Sequence, residues 1–158
     1  MWSHYSYSHT GFCIEFERTG SNDLGNGKYC IPVLYDDPLP TFKLMELSDP
    51  AVVSKILTTK SSHWSYEREW RILSKDGNQE HPLPGNITGI VFGCQMPSDN
   101  RLKIADILGN TVIYMQATKS ETKFAIDIKP VSLSDLTSDV ELVKRMRTYP
   151  CSPSQDGD

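Results

Sequence analysis

The sequence contains no apolar run approaching the roughly 20 residues that a membrane-spanning helix requires. It has no excess of basic residues either: 16 Lys+Arg stand against 20 Asp+Glu, a formal net charge of -4. A dedicated nucleic-acid binder carries a basic stripe, so nucleic acid is not the expected partner. The one basic run, Lys144-Arg145-Met146-Arg147, reads more simply as the complement of a helix macrodipole at its C-terminal end. Glycine-rich phosphate loops are missing too. Gly25-Asn26-Gly27 lacks both the length of a dinucleotide fingerprint and a helix after it, and there is no G-x-S-x-G nucleophile elbow. Cys13, Cys30, Cys94 and Cys151 are scattered and form no C-x-x-C pair. Structural zinc brings its ligands in such close pairs. With neither a basic n-region nor an apolar h-region in Met1-Trp2-Ser3-His4-Tyr5, a cytoplasmic protein with four free thiols is expected.

What is present is ordinary globular composition: 158 residues, 38% hydrophobic and 23% charged. That length suits one domain with a sizeable core. Phe12 to Phe16 reads as a strand, and so does Tyr29 to Tyr35, whose Pro32 favours an edge position. Asp49-Pro50 has the form of an N-cap followed by proline at the first helical position. Val52, Val53, Ile56 and Leu57 then share one helix face. Tyr66 to Leu73 alternates like a strand, and Ile87 to Cys94 is apolar enough to be a central one. Pro97-Ser98-Asp99 opens a helix carrying Leu102, Ala105, Ile107 and Leu108, closed by Gly109-Asn110. Val112 to Ala117 and Lys123 to Ile128 form a hairpin. Ser132-Leu133-Ser134-Asp135 resembles a capping box ahead of a helix bearing Leu133, Leu136, Val140 and Val143. There is no internal repeat and no linker. The expectation is a single α+β domain over residues 1–150, with about three helices on a mixed or mostly antiparallel sheet. Residues 151–158 read as a disordered polar tail.

Candidate chemistry concentrates in the Tyr66 to Leu73 stretch. As a strand it places Glu67, Glu69 and Arg71 on one face, with the carboxylate-bearing backbones roughly 6.5–7 Å apart. Two carboxylates that close perturb each other, and a flanking Arg favours the ionised form. The arrangement suits cleavage of a glycosidic or N-glycosidic bond, where a carboxylate stabilises an oxocarbenium-like centre or accepts from a ribose hydroxyl. The same pattern also describes a solvated strand face of mixed charge with no catalytic role. His4, Tyr5, Tyr7 and His9 crowd the start, and a histidine there has the chemistry of a general base or hydroxyl partner. His4 and His9 are five apart, the wrong spacing for a helical zinc pair, and no metal is expected. Trp64 and Trp70 read as core anchors, Lys60 as a solvated helix end.

Met1-Trp2-Ser3-His4-Tyr5 with Gly11-Phe12-Cys13-Ile14-Glu15-Phe16, then Lys60 with Trp64-x-Tyr66-Glu67-x-Glu69-Trp70-Arg71, resembles the bacterial and phage domain-of-unknown-function 2971 family (DUF2971). Ile87-Thr88-Gly89-Ile90-Val91-Phe92-Gly93 resembles its following strand, so the resemblance spans about residues 1–115. It implies no catalytic assignment. Members carry a further region ahead of the first motif, which leads us to expect a shortened form here. A second resemblance, resting on Glu67-x-Glu69, is to ADP-ribosyltransferase-like toxins and phage-defence enzymes. It implies NAD as substrate, Glu69 as the catalytic carboxylate with Glu67 as its helper, and His4, Tyr5 and Arg71 contacting the substrate. Against this enzyme stands a non-catalytic module that binds another protein.

Overall fold

The computed structural model describes residues 6–138. In chain order the elements are β1 (Phe12–Phe16), β2 (Cys30–Pro32), β3 (Leu34–Tyr35), a 3-10 turn (Leu44–Ser48), α1 (Pro50–Thr58) and β4 (Thr59–Lys60). A second 3-10 turn (Ser62–Glu67), β5 (Trp70–Ile72), β6 (Ile87–Phe92), α2 (Ser98–Leu108), β7 (Ile113–Lys119) and β8 (Ile126–Pro130) follow, and residues 133–138 are again helical. The α+β class stands. Two compact units can be told apart: one is Phe16–Asn86, and the other joins the segment ending at Glu15 to the chain from Ile87 onward.

The second of these units is built on the most apolar stretch of the sequence. β6 lies between β1 and β7 in a sheet of order β1-β6-β7-β8, the central place that its run of apolar residues predicts. β6 and β7 are parallel and joined through α2, whereas β7 and β8 form the expected antiparallel hairpin. Gly93 N–H donates to the Gly11 carbonyl and Gln95 N–H to that of His9, the descending register of an antiparallel neighbour. The sheet is therefore mixed. Its core holds Ile90, Phe92, Met96, Ala105, Tyr114 and Leu136, with the Phe92 and Tyr114 rings stacked 5.8 Å apart at 8°. On α2 the expected Leu102, Ala105 and Leu108 join this core together with Ile104, while Ile107, expected with them, is 81% exposed. The helix ends at Gly109 with φ +58°, a conformation that costs other residues a steric clash. Ser132 and Asp135 cap the next helix reciprocally: Ser132 N–H donates to Asp135 Oδ2 at 3.1 Å and Asp135 N–H to Ser132 Oγ at 3.2 Å. Val140, Val143, the basic run at 144–147 and the 151–158 tail lie outside the described residues.

Just ahead of β1, Tyr7, Ser8 and His9 have φ of +44°, +54° and +71°. Thr10 and Gly11 N–H both donate to the Ser6 carbonyl across this left-handed turn. Each such residue costs about 1–2 kcal/mol, so the turn persists because its surroundings hold it. Gly93 is one of those surroundings: a Cβ there would lie 2.2 Å from the His9 carbonyl oxygen.

The Phe16–Asn86 unit buries much less. Its buried residues are Cys30, Val33, Thr58 and Glu67. The strand expected over Tyr29 to Tyr35 is broken into β2 and β3, because β2 pairs antiparallel with β5 while β3 pairs parallel with β4. Between them, Val33 N–H donates to the Glu69 carbonyl at 2.9 Å. The expected cap is present: Asp49 Oδ1 accepts from Ala51 N–H at 2.8 Å, with Pro50 at the first helical position. α1 nonetheless buries only Thr58, and Val53, Ile56 and Leu57 remain exposed. The strand expected over Tyr66 to Leu73 shrinks to Trp70–Ile72, and Trp70 is no core anchor. It is 47% exposed, with the Arg18 guanidinium 4.0 Å above its ring. Cys13, Cys30 and Cys94 are free thiols. Among the described residues no helix is long and apolar enough to cross a membrane.

Phe92 is fully buried and stacked, so Phe92→Ala is expected to cost about 3–5 kcal/mol. Urea unfolding followed by circular dichroism tests this, and a midpoint equal to that of the parent protein contradicts the core assignment.

Candidate functional site

Lys60 organises the polar centre of the Phe16–Asn86 unit. It sits on β4, in parallel register with Tyr35 on β3, and Asp36 N–H donates to its carbonyl. The following turn is anchored by Asp37, whose Oδ1 accepts from the Ser62 hydroxyl at 2.5 Å and from Ser62 N–H at 3.3 Å. The Ser62 hydroxyl is the main reason the Asp37 carboxyl lies below its ordinary range. The turn ends at Arg68, which adopts φ +48° and ψ +45°. This corner is what the alternating reading of the sequence missed. Glu67 is the last residue of a 3-10 turn and not a strand residue, so period-two alternation does not relate it to Glu69.

The two carboxylates meet nonetheless, because both bind one ammonium. Lys60 Nζ lies 2.5 Å from Glu67 Oε2 and 3.0 Å from Glu69 Oε2. It also sits 5.1 Å from the centre of the Trp64 ring. Arg71 grips Glu69 in a fork, Nε to Oε1 at 2.7 Å and Nη2 to Oε2 at 3.1 Å, the strongest ion-pair geometry available to these side chains. Its Nη1 donates to the Leu57 carbonyl. Glu69 N–H donates to the Tyr35 hydroxyl at 2.8 Å. The result is a four-charge cluster with no net charge.

The two carboxylates differ in exposure and partners. The Glu67 side chain is 4% exposed, and its Oε1 is buried with no hydrogen-bond partner among the described residues. Glu69 is 29% exposed and has both oxygens engaged. The hydrogen bonds from Arg71, and then from Lys60, hold its carboxyl below the ordinary range against the opposing effect of burial. Glu69 is therefore a fixed anion and no proton donor near neutral pH.

The candidates named from sequence are placed as follows. Glu67, Glu69 and Arg71 come together. His4 and Tyr5 lie outside the described residues. Lys60, read from sequence as a solvated helix end, is the bridge, with a side chain only 17% exposed. Tyr35 was missed because it lies 34 residues from Glu69, beyond the reach of any local pattern. Among the described residues no group of three or more His, Cys, Asp or Glu is placed to hold a metal ion.

A carboxylate with a depressed folded-state value stabilises the fold above its unfolded pKa and ceases to do so as pH falls through the folded value. The stability deficit of Glu69→Gln is thus expected to be steady from about pH 7 to 5 and to shrink below about pH 4. Urea midpoints of parent and variant across this range test it. A deficit that persists undiminished at about pH 3 excludes an ionised Glu69 as the source.

No curated protein and no solved structure matches the chain. Residues 1–72 match the model of the family described as "Protein of unknown function (DUF2971)". The match takes in the Met1 to Tyr5, Gly11 to Phe16 and Lys60 to Arg71 motifs and stops short of Ile87 to Gly93. The matched segment, which carries Lys60, Glu67, Glu69 and Arg71, is similar to the DUF2971 family.

Proposed function

We propose that the Lys60–Glu67–Glu69–Arg71 cluster is the reactive centre of an NAD-using enzyme of the ADP-ribosyltransferase or NAD glycohydrolase type. The observation that carries this reading is the buried Glu67 Oε1, which has no hydrogen-bond donor among the described residues. An acceptor oxygen left desolvated without a donor is costly even where the carboxylate's other oxygen is ion-paired, so the position suits a donor brought by a bound ligand. A ribose hydroxyl supplies one. Glu69, kept anionic by Arg71 and Lys60, then supplies a fixed negative charge toward the positive charge that develops at the ribose C1′. In the reaction the C1′–N1 bond breaks and its electron pair leaves with nicotinamide. An acceptor nucleophile, water in the hydrolytic case, forms the new bond to C1′ and gives up a proton to solvent.

A second reading has an observation of its own. Both Glu69 oxygens are taken by protein donors, which is how a purely structural ion network is wired. In that case the unit is a non-catalytic module that binds a protein partner.

Nicotinamide release from NAD separates the two. The parent chain is expected to consume NAD, and Glu67→Gln and Glu69→Gln are expected to lower kcat by about 100-fold or more with unchanged circular dichroism. A folded parent chain that neither binds nor consumes NAD overturns the enzyme reading and leaves the interaction module.

A further inference from the structure

The last strand of the mixed sheet has a neighbour on one side only. Among the described residues β8 pairs with β7 and ends the order β1-β6-β7-β8. Two backbone bonds just beyond its ends fix the phase of the ladder: Ser120 N–H donates to the Ala125 carbonyl and Val131 N–H to the Tyr114 carbonyl. Steps of two residues then direct the backbone groups of Asp127 and Lys129 toward β7, opposite Thr118 and Gln116. The N–H and C=O groups of Ile126 and Ile128, with the Pro130 carbonyl, face the other way, along the open edge. An edge of this kind is a template for another strand.

The side chains narrow down which strand fits. Asp127 and Lys129 share one face of the sheet, and Ile126, Ile128 and Pro130 share the other. Asp127 and Lys129 are exposed, and among the described residues no ion pair holds either. Ile128 is 51% exposed and is the middle residue of the five in β8. An antiparallel copy of the same strand, related by a twofold axis at Ile128, therefore overlaps it end to end. Asp127 of each copy then falls opposite Lys129 of the other, and Ile126 opposite Pro130. Ile128 forms a hydrogen-bonded pair with its own counterpart. That makes Asp127 and Lys129 the closer, non-hydrogen-bonded pairs, about 4.5 Å apart at Cα, where opposite charges attract across strands. Moving the axis by one residue sets Asp127 against Asp127, or Lys129 against Lys129. Lysine and proline are residues that guard sheet edges, and here they leave one register open. Lys129 meets a carboxylate, and Pro130 withholds a donor but still offers its carbonyl to the Ile126 N–H of the second copy.

We propose that the β8 edge pairs with the β8 edge of a second copy of this chain, extending the sheet antiparallel across a twofold axis at Ile128. The edge lies outside the family-matched segment, and the pairing stands whether or not NAD is a substrate. Two five-residue strands bury less than the roughly 1,000 Å2 of a firm interface, so the dimer is weak and its population follows concentration.

Sedimentation of the full chain from about 5 to 500 µM tests this, together with hydrogen exchange of the Ile126 and Ile128 amides. The mass is expected to rise from monomer toward dimer, and these two amides are expected to exchange several-fold more slowly at the top of the range. Asp127→Lys and Lys129→Asp each set like charges opposite one another at two positions, and each is expected to weaken the dimer at least about tenfold. An equimolar mixture of the two variants restores opposite charges and is expected to recover it. A folded chain that stays monomeric at about 500 µM, or a dimer that both variants keep at full strength, overturns the pairing. Loss of the dimer in both variants without recovery on mixing overturns the axis at Ile128, and the proposal with it.

Discussion

The contact on which the Phe16–Asn86 unit depends is one ammonium held between two carboxylates. That unit has few buried residues, and one of them is charged. Its strands are two or three residues long. Such a segment cannot draw much stability from apolar burial, because surface-to-volume scaling is against it. Lys60 joins three otherwise separate pieces: β4, which carries it; the end of the 3-10 turn, through Glu67; and the lead into β5, through Glu69. Arg71 extends the network to the end of α1 through the Leu57 carbonyl. Removing Lys60 would leave two carboxylates facing each other, one of them almost fully desolvated, and the cost of breaking a buried pair is much larger than the net worth of keeping it.

The unit around β6 follows the opposite economy. Its core is apolar and stacked, its helices are capped by local signals, and its polar groups sit at the sheet edge. The two designs place chemistry differently. In the ion-held unit the polar groups are the structure, so any substitution there tests fold and function together, and isosteric Glu→Gln changes separate them best. Around β6 the frame is held by Phe92, Ile90 and Tyr114, and Arg101 ties α2 to β7 through Gln116 Oε1 at 3.0 Å.

Elements whose cause lies within a few residues were legible in the sequence. β1 falls on Phe12–Phe16 as its alternation with Glu15 indicates, the Asp49-Pro50 cap and the Ser132–Asp135 cap form as written, and β6 is central because it is apolar on both faces. The candidate carboxylates were legible as residues but not as a geometry. Alternation over Tyr66 to Leu73 suggested a strand, yet Arg68 takes the left-handed region, which non-glycine residues seldom enter and no residue-type pattern announces. Lys60 was misjudged for a related reason. A lysine beside a helix end is normally solvated, and only the meeting of β3, β4 and the Glu67 corner encloses this one. The contacts that decide the site run from Tyr35 to Glu69 and from Lys60 to Glu67 and Glu69, and their partners are set by tertiary packing.

Charge then limits what the site can recognise. The Lys60 cluster pairs two cations with two carboxylates, so it offers no net attraction to a phosphate. Among the described residues its open valence is Glu67 Oε1, which selects hydrogen-bond donors. A dinucleotide placed there would present ribose hydroxyls to the cluster and would need cations outside it for its diphosphate. Within the same unit Arg68 is the adjacent candidate. It is exposed, it follows Glu67 directly, and its left-handed backbone turns the chain between the two carboxylates. A glycine would occupy that corner more easily, but it would remove a cation next to the two carboxylates that, among the described residues, neither of them holds in an ion pair.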